Sequence, residues 1–131
     1  ALQSGDIQLL SDAIPGAVGP VRAGKVKAIG IADERRSPFL PDLPTVADQG
    51  IQGVVAVGWI GLSAPARTPE PVLDRISAEV MRILKDPAVL EKMKELSFVP
   101  AKESRQEFEA YIAIENTRWR KIIQDAGVKI E

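Results

Sequence analysis

Apolar and polar positions change period several times along the chain, and each change marks an element. The sharpest lies in Val54–Pro69 (VVAVGWIGLSAPARTP), where an apolar run carrying Trp59 and Ile60 reads as a buried strand. That strand must stop at Ala64-Pro65-Ala66, because Pro65 has no N–H to give to a ladder. Thr68 then suits a helix N-cap, Pro69 the first helical position and Glu70 the positive end of the helix. From Pro69 to Lys85 the apolar positions Val72, Leu73, Ile76, Val80, Ile83 and Leu84 recur at helical spacing, which predicts a buried stripe that includes Ile76 and Ile83. Asp86-Pro87 repeats the start signal for a helix over Pro87–Leu96, with Leu90 and Met93 inward. Ser97–Pro100 reads as a brief extended piece. Ser104 and Glu107 have capping-box spacing, and Phe108, Tyr111, Ile112, Trp119, Ile122 and Ile123 predict a long amphipathic helix over Arg105–Ala126, ending near Gly127.

The first half alternates differently. Ala1–Gly5 looks like the end of a helix with a glycine stop, so the chain reads as cut from something longer. A short strand is expected at Ile7–Leu10, then a polar turn through Ser11–Gly16 and a weak helix near Ala17–Ala23, stopped by Gly24. Val26–Ala32 (VKAIGIA) is apolar at nearly every position after Lys27, as a strand covered on both faces of a parallel sheet should be. The spacing from Ile7 to Ile31 fits a crossover helix between parallel neighbours. Asp33–Arg36 is a charge run that reads as a solvated loop, and Ser37–Pro44 is too rich in proline for regular structure. Thr45–Gln49 fits a short helix ended by Gly50. The pattern is that of an α/β chain with a parallel or mixed sheet and flanking helices.

Composition narrows the chemistry. The 131 residues are 45% hydrophobic and 27% charged, with 17 Lys+Arg against 18 Asp+Glu, a net charge of −1. This is the profile of a globular chain with one core, and it offers no basic field for nucleic acid. The uncharged run Gln49–Ala66 is interrupted by glycines and Pro65 and reads as a buried strand rather than a membrane span, so no direct membrane insertion is expected. Cys and His are both absent, which removes disulfides, thiolate chemistry, Ser-His and Cys-His catalysis and the usual zinc sites. No metal and no cofactor is expected. The acidic pairs Asp33/Glu34, Glu91/Glu95 and Glu107/Glu109 sit where solvated faces are expected, without a partner that would make them catalytic.

Two stretches carry the candidate chemistry. Ser11, Asp12, Ala13, Ile14 and Pro15 follow a predicted strand and precede a predicted helix, the place where open α/β sheets bind ligands and where helix amides are free to hold an anion. An ordinary turn with Asp12 as the helix cap fits the same residues. Trp59, among Gly58, Ile60 and Gly61, fits either plain core or the lining of a cleft.

Four segments, RAGKVKAIGIA, RSPFLPDLPTVADQG, GWIGLSAPARTP and TRWRKIIQDAG, stand in an order and approximate spacing that resembles the C-terminal part of the Bug family, the periplasmic solute-binding receptors of tripartite tricarboxylate transporters. The resemblance covers nearly the whole chain. It implies a portion of a two-domain, type II-like periplasmic-binding-protein fold of the Venus-flytrap kind, which closes on its ligand and hands it to a membrane permease. It also implies that an N-terminal portion, with a glycine-rich ligand loop, is absent. On this resemblance residues 1–57 belong to ligand-binding domain 2. Residues 58–131 supply a hinge strand, crossing at Gly58, Trp59, Ile60 and Gly61, and helices of domain 1. Ser11–Pro15 matches a family segment that faces the cleft. The implied ligand is a small carboxylate, a di- or tricarboxylate, amino acid or related organic acid, held largely by backbone N–H groups and bridging waters. No enzymatic activity is implied. Two other classes fit the residues alone: an α/β enzyme with its catalytic groups elsewhere, or an interaction module that binds no small ligand.

Overall fold

The computed structural model describes residues 1–128, and these carry four α-helices and one 3₁₀ turn. They are α1 (Ile14–Arg22), the 3₁₀ turn Ala47–Gln49, α2 (Glu70–Ile83), α3 (Pro87–Glu95) and α4 (Arg105–Asp125). The chain divides into two compact units, one made of Ala1–Ser63 with Glu91–Val99, the other of Ala64–Leu90 with the residues from Pro100 onward.

Five times the backbone leaves a helical turn by the same device. The residue just past the turn adopts a left-handed conformation and donates back to the second carbonyl from the end, while its successor donates to the third. Gly5 and Asp6 do this to Leu2 and Ala1, Gly24 and Lys25 to Val21 and Pro20, Gly50 and Ile51 to Ala47 and Val46, Gly127 and Val128 to Gln124 and Ile123. The fifth stop, after α3, uses Ser97 at φ 60° with Phe98, bonded to Lys94 and Met93. Four of these stops are glycines, which adopt that conformation without steric cost; Ser97 carries a Cβ and bears the cost. Ser97→Gly is therefore expected to raise stability by roughly 0.5–1 kcal/mol in denaturant melts. Equal or lower stability would show that the serine conformation carries no strain. The extended reading of Ser97–Pro100 is corrected accordingly at its first residue.

Helix starts divide into those written locally and those not. At α4 the Glu107 amide donates to Ser104 Oγ and the Ser104 amide to Glu107 Oε2, the expected capping box. Asp86 Oδ1 accepts from the amides of Ala88 and Val89 and caps α3. At α2 the expectation is corrected: Pro69, not Thr68, is the N-cap, with no side-chain bond. A Thr68 cap could accept from the amide two or three residues on, and the second of these is lost because residue 71 is Pro71. Helix α1 begins at Ile14, three residues before the expected start, because Pro15 falls in its first turn, where no intrahelical N–H is required.

The segments expected as strands do not form a ladder within the described residues. Pairing there amounts to one parallel bridge, Ile31 to Thr45, in which the Ile31 amide donates to Pro44 and the Val46 amide to Ile31. The Ala56 amide adds a bond to the Ala32 carbonyl. Ile7–Leu10, Val26–Ala32 and Val54–Ala64 are thus not regular strands here, since a strand exists only by the neighbours that accept and donate along it. Burial follows the same rule. Among the described residues the buried apolar side chains are Val18 and Ile31, at 5% and 7% exposure, while Ile60 is 81% exposed.

In the unit that contains Ile31, Thr45 and Asp48 cap each other: the Asp48 amide donates to Thr45 Oγ1 at 3.0 Å and the Thr45 amide to Asp48 Oδ2 at 3.1 Å. Arg36 Nε reaches the same carboxylate at 3.0 Å. The Thr45 backbone N–H and the Arg36 guanidinium hold the Asp48 carboxyl below its ordinary range. A carboxyl depressed on folding contributes stability above its unfolded pKa and loses it as pH falls through the folded value. Thermal midpoints should fall below roughly pH 4, and Asp48→Asn should flatten that acid limb in part. An unchanged limb would show that Asp48 gains nothing on folding.

In the other unit, Arg105 at the start of α4 pairs with Glu70 and Asp74 of α2 and with Glu109, its side chain only 21% exposed. Leu73 and Val80 of α2 and its C-cap Leu84 are half-buried, but Ile76 and Ile83 are 44% and 41% exposed, so the expected burial of the whole stripe is corrected. Farther along α4, Glu115 accepts from Arg118 Nε at 2.8 Å and from Trp119 Nε1 at 3.0 Å, and Arg118 lies over the Trp119 ring.

Candidate functional site

The expected ligand loop ends on the first turn of α1. Ser11, Asp12 and Ala13 are exposed, and Ile14 and Pro15 are half-buried. Ala13 is the N-cap, at φ −70° and ψ 144°, and no side chain caps the helix. Asp12 instead turns its carboxylate along that first turn. Its Oδ1 accepts the Ala13 amide at 2.8 Å, and a Cβ placed on Gly16 would lie 3.0 Å from its Oδ2. Glycine at position 16 leaves room for this approach.

That geometry settles which donors the loop retains. The Ala13 amide is taken by Asp12, the Gly16 and Ala17 amides go to the Ala13 carbonyl, and Pro15 has none. The amides of Ser11, Asp12 and Ile14 meet no protein acceptor among the described residues. Of these, the Ile14 amide is the first of the helix proper, where the macrodipole adds to its attraction for an anion. The sequence offered Asp12 as a cap of this helix, but not that its carboxylate would take the Ala13 amide instead.

Gly58, Trp59, Ile60 and Gly61 belong to the same compact unit as this loop. They form an irregular, exposed segment, and Trp59 is half exposed, so it is not core within that unit. The segment starts two residues after Ala56, whose amide is bonded to Ala32.

One structural role went unread in the sequence. Gln49 Nε2 donates to the Ile29 carbonyl at 2.9 Å and to the Thr45 carbonyl at 3.3 Å, tying the 3₁₀ turn to the segment that holds Ile31. Gly30 makes room for it, because a Cβ there would lie 2.8 Å from the same nitrogen. A lone glutamine and glycine nineteen residues apart carry no local signal. Among the described residues no group of three His, Cys, Asp or Glu side chains could hold a metal ion, and no helix is long and apolar enough to cross a membrane.

The family model for the tripartite tricarboxylate transporter family receptor matches residues 1–128. The chain belongs to that family. Among its relatives, the UPF0065 protein in the tcbD-tcbE intergenic region of a Pseudomonas species is 30% identical over 93% of this chain. Protein BugT of Bordetella pertussis is 25% identical over 90%. The solved structure of R. palustris Rpa4515 with adipate superposes with a TM-score of 0.74 at 26% identity over 87% of this chain. The α/β periplasmic-binding-protein fold expected from the sequence is thereby that of the family receptor. The chain spans 37% of the first relative, 36% of BugT and 38% of Rpa4515.

Proposed function

We propose that this chain is a portion of a periplasmic solute-binding receptor that captures a small organic carboxylate and presents it to the membrane permease of a tripartite tricarboxylate transporter. The family match across residues 1–128 carries the reading, and the adipate bound to Rpa4515 supports a carboxylate as the class of ligand. In this reading residues 1–57 belong to the ligand-binding second domain, Gly58–Gly61 form the crossing between domains, and the rest belongs to the first domain. Ser11–Pro15 line the cleft, and the free amides of Ser11, Asp12 and Ile14 are the donors offered to a carboxylate.

The chemistry is that of a pre-arranged anion site. Each charge-assisted bond from a fixed backbone N–H contributes roughly 1.5–3 kcal/mol, so two or three of them hold a carboxylate without a cationic side chain. The Asp12 carboxylate would also penalise an anion that approaches from its side, which orients the ligand. Catalysis forms no part of this role. Titration calorimetry of the whole receptor against succinate, adipate, citrate and glutamate tests it. Binding of at least one with a one-to-one stoichiometry is expected; no heat with any small carboxylate, together with turnover of one of them, would overturn it.

A further inference from the structure

From the last residue of α1 onward the chain carries three cations within six residues, Arg22, Lys25 and Lys27, in a chain whose net charge is −1. They lie along a groove of about 810 Å³ whose apolar lining includes Val26, Phe39 and Leu43, with Asp42 the acid beside it. Arg22 is anchored, since its Nη2 donates to the Phe39 carbonyl at 3.3 Å. Lys25 and Lys27 meet no carboxylate among the described residues. Arg22 and Lys25 also complement the negative end of α1, a local role that Lys27, farther along the chain, does not share.

We propose that this groove docks an acidic peptide segment of a protein partner, its aliphatic side chains on the apolar lining and its carboxylates on Arg22, Lys25 and Lys27. Three cations spaced along an open groove suit a run of carboxylates on an extended chain better than the single anionic end of a small ligand. Apolar contacts then supply affinity while the charges steer encounter and fix register. On the receptor reading above, on which this part rests, the partner is the permease. The groove is separate from Ser11–Pro15, so a receptor can present its ligand while docked.

The test uses the whole receptor and a fluorescein-labelled peptide of alternating glutamate and leucine, followed by anisotropy at low and high salt. The peptide should bind, more weakly as salt rises, and Lys25→Glu/Lys27→Glu should weaken it by about tenfold or more. Lys85→Glu/Lys94→Glu, which changes exposed lysines outside the groove, should leave affinity unchanged. Circular dichroism checks folding, and Lys25→Gln/Lys27→Gln replaces the charge reversal if that variant does not fold. Unchanged affinity in the groove variants, equal binding of a lysine–leucine peptide, or binding only to phosphatidylglycerol vesicles would overturn the proposal. Calorimetry with small carboxylates on the same protein separates the failures: carboxylate bound without peptide overturns the groove alone, and neither bound overturns the receptor reading as well.

Discussion

Replacing Ile14 by proline is expected to weaken carboxylate binding by the whole receptor roughly ten- to a hundredfold, with little change in thermal stability. The loss equals one charge-assisted hydrogen bond of roughly 1.5–3 kcal/mol. The substitution is selective because the backbone already suits it. Ile14 is the first helical residue, where proline is tolerated, and Ala13 at ψ 144° has the extended conformation that a residue before proline prefers. What disappears is one of the three loop amides that meet no protein acceptor among the described residues, together with the Ile14 side chain. Ile14→Ala controls for the side chain and should bind close to the parent. Calorimetry with the tightest ligand of the panel decides it: equal affinity for the proline variant and the parent would remove Ile14 from the site.

Ile31→Ala should destabilise the chain by roughly 2–5 kcal/mol, while Ile76→Ala should cost about 1 kcal/mol or less. The two residues look alike in sequence, both apolar and both in strongly patterned segments. Ile31 is 7% exposed and its backbone joins the parallel bridge through both its amide and its carbonyl, whereas Ile76 is 44% exposed. Removing methyl groups from Ile31 opens a cavity beside a constrained backbone; removing them from Ile76 leaves a surface that water already reaches. Urea melts of both variants read the difference directly. Equal costs would show that the α2 stripe is covered in solution.

The two expected results depend on different features of the folded chain. The first rests on which amides a loop leaves open, which depends on one aspartate rotamer and on where a helix begins. The second rests on which of several apolar patterns meets a surface opposite.

Sequence alone determined the features whose partners lie within a few residues. The Ser104–Glu107 box, the Asp86 cap and the glycine stops at positions 24, 50 and 127 all close bonds within one or two turns, so residue types suffice to specify them. The order of motifs was likewise enough to identify the receptor family. Tertiary structure decided the rest. Whether Val26–Ala32 becomes a strand depends on acceptors and donors far along the chain, of which the described residues supply the Pro44 carbonyl and the amides of Val46 and Ala56. Whether Ile76 is core depends on a covering surface that a helical period requires but does not provide. The Asp12 carboxylate, free to cap or to bind by sequence, is placed on the Ala13 amide by the start of α1 at Ile14 and the missing side chain of Gly16. A pattern states which face seeks burial and which groups seek partners; only the folded chain determines whether they find them.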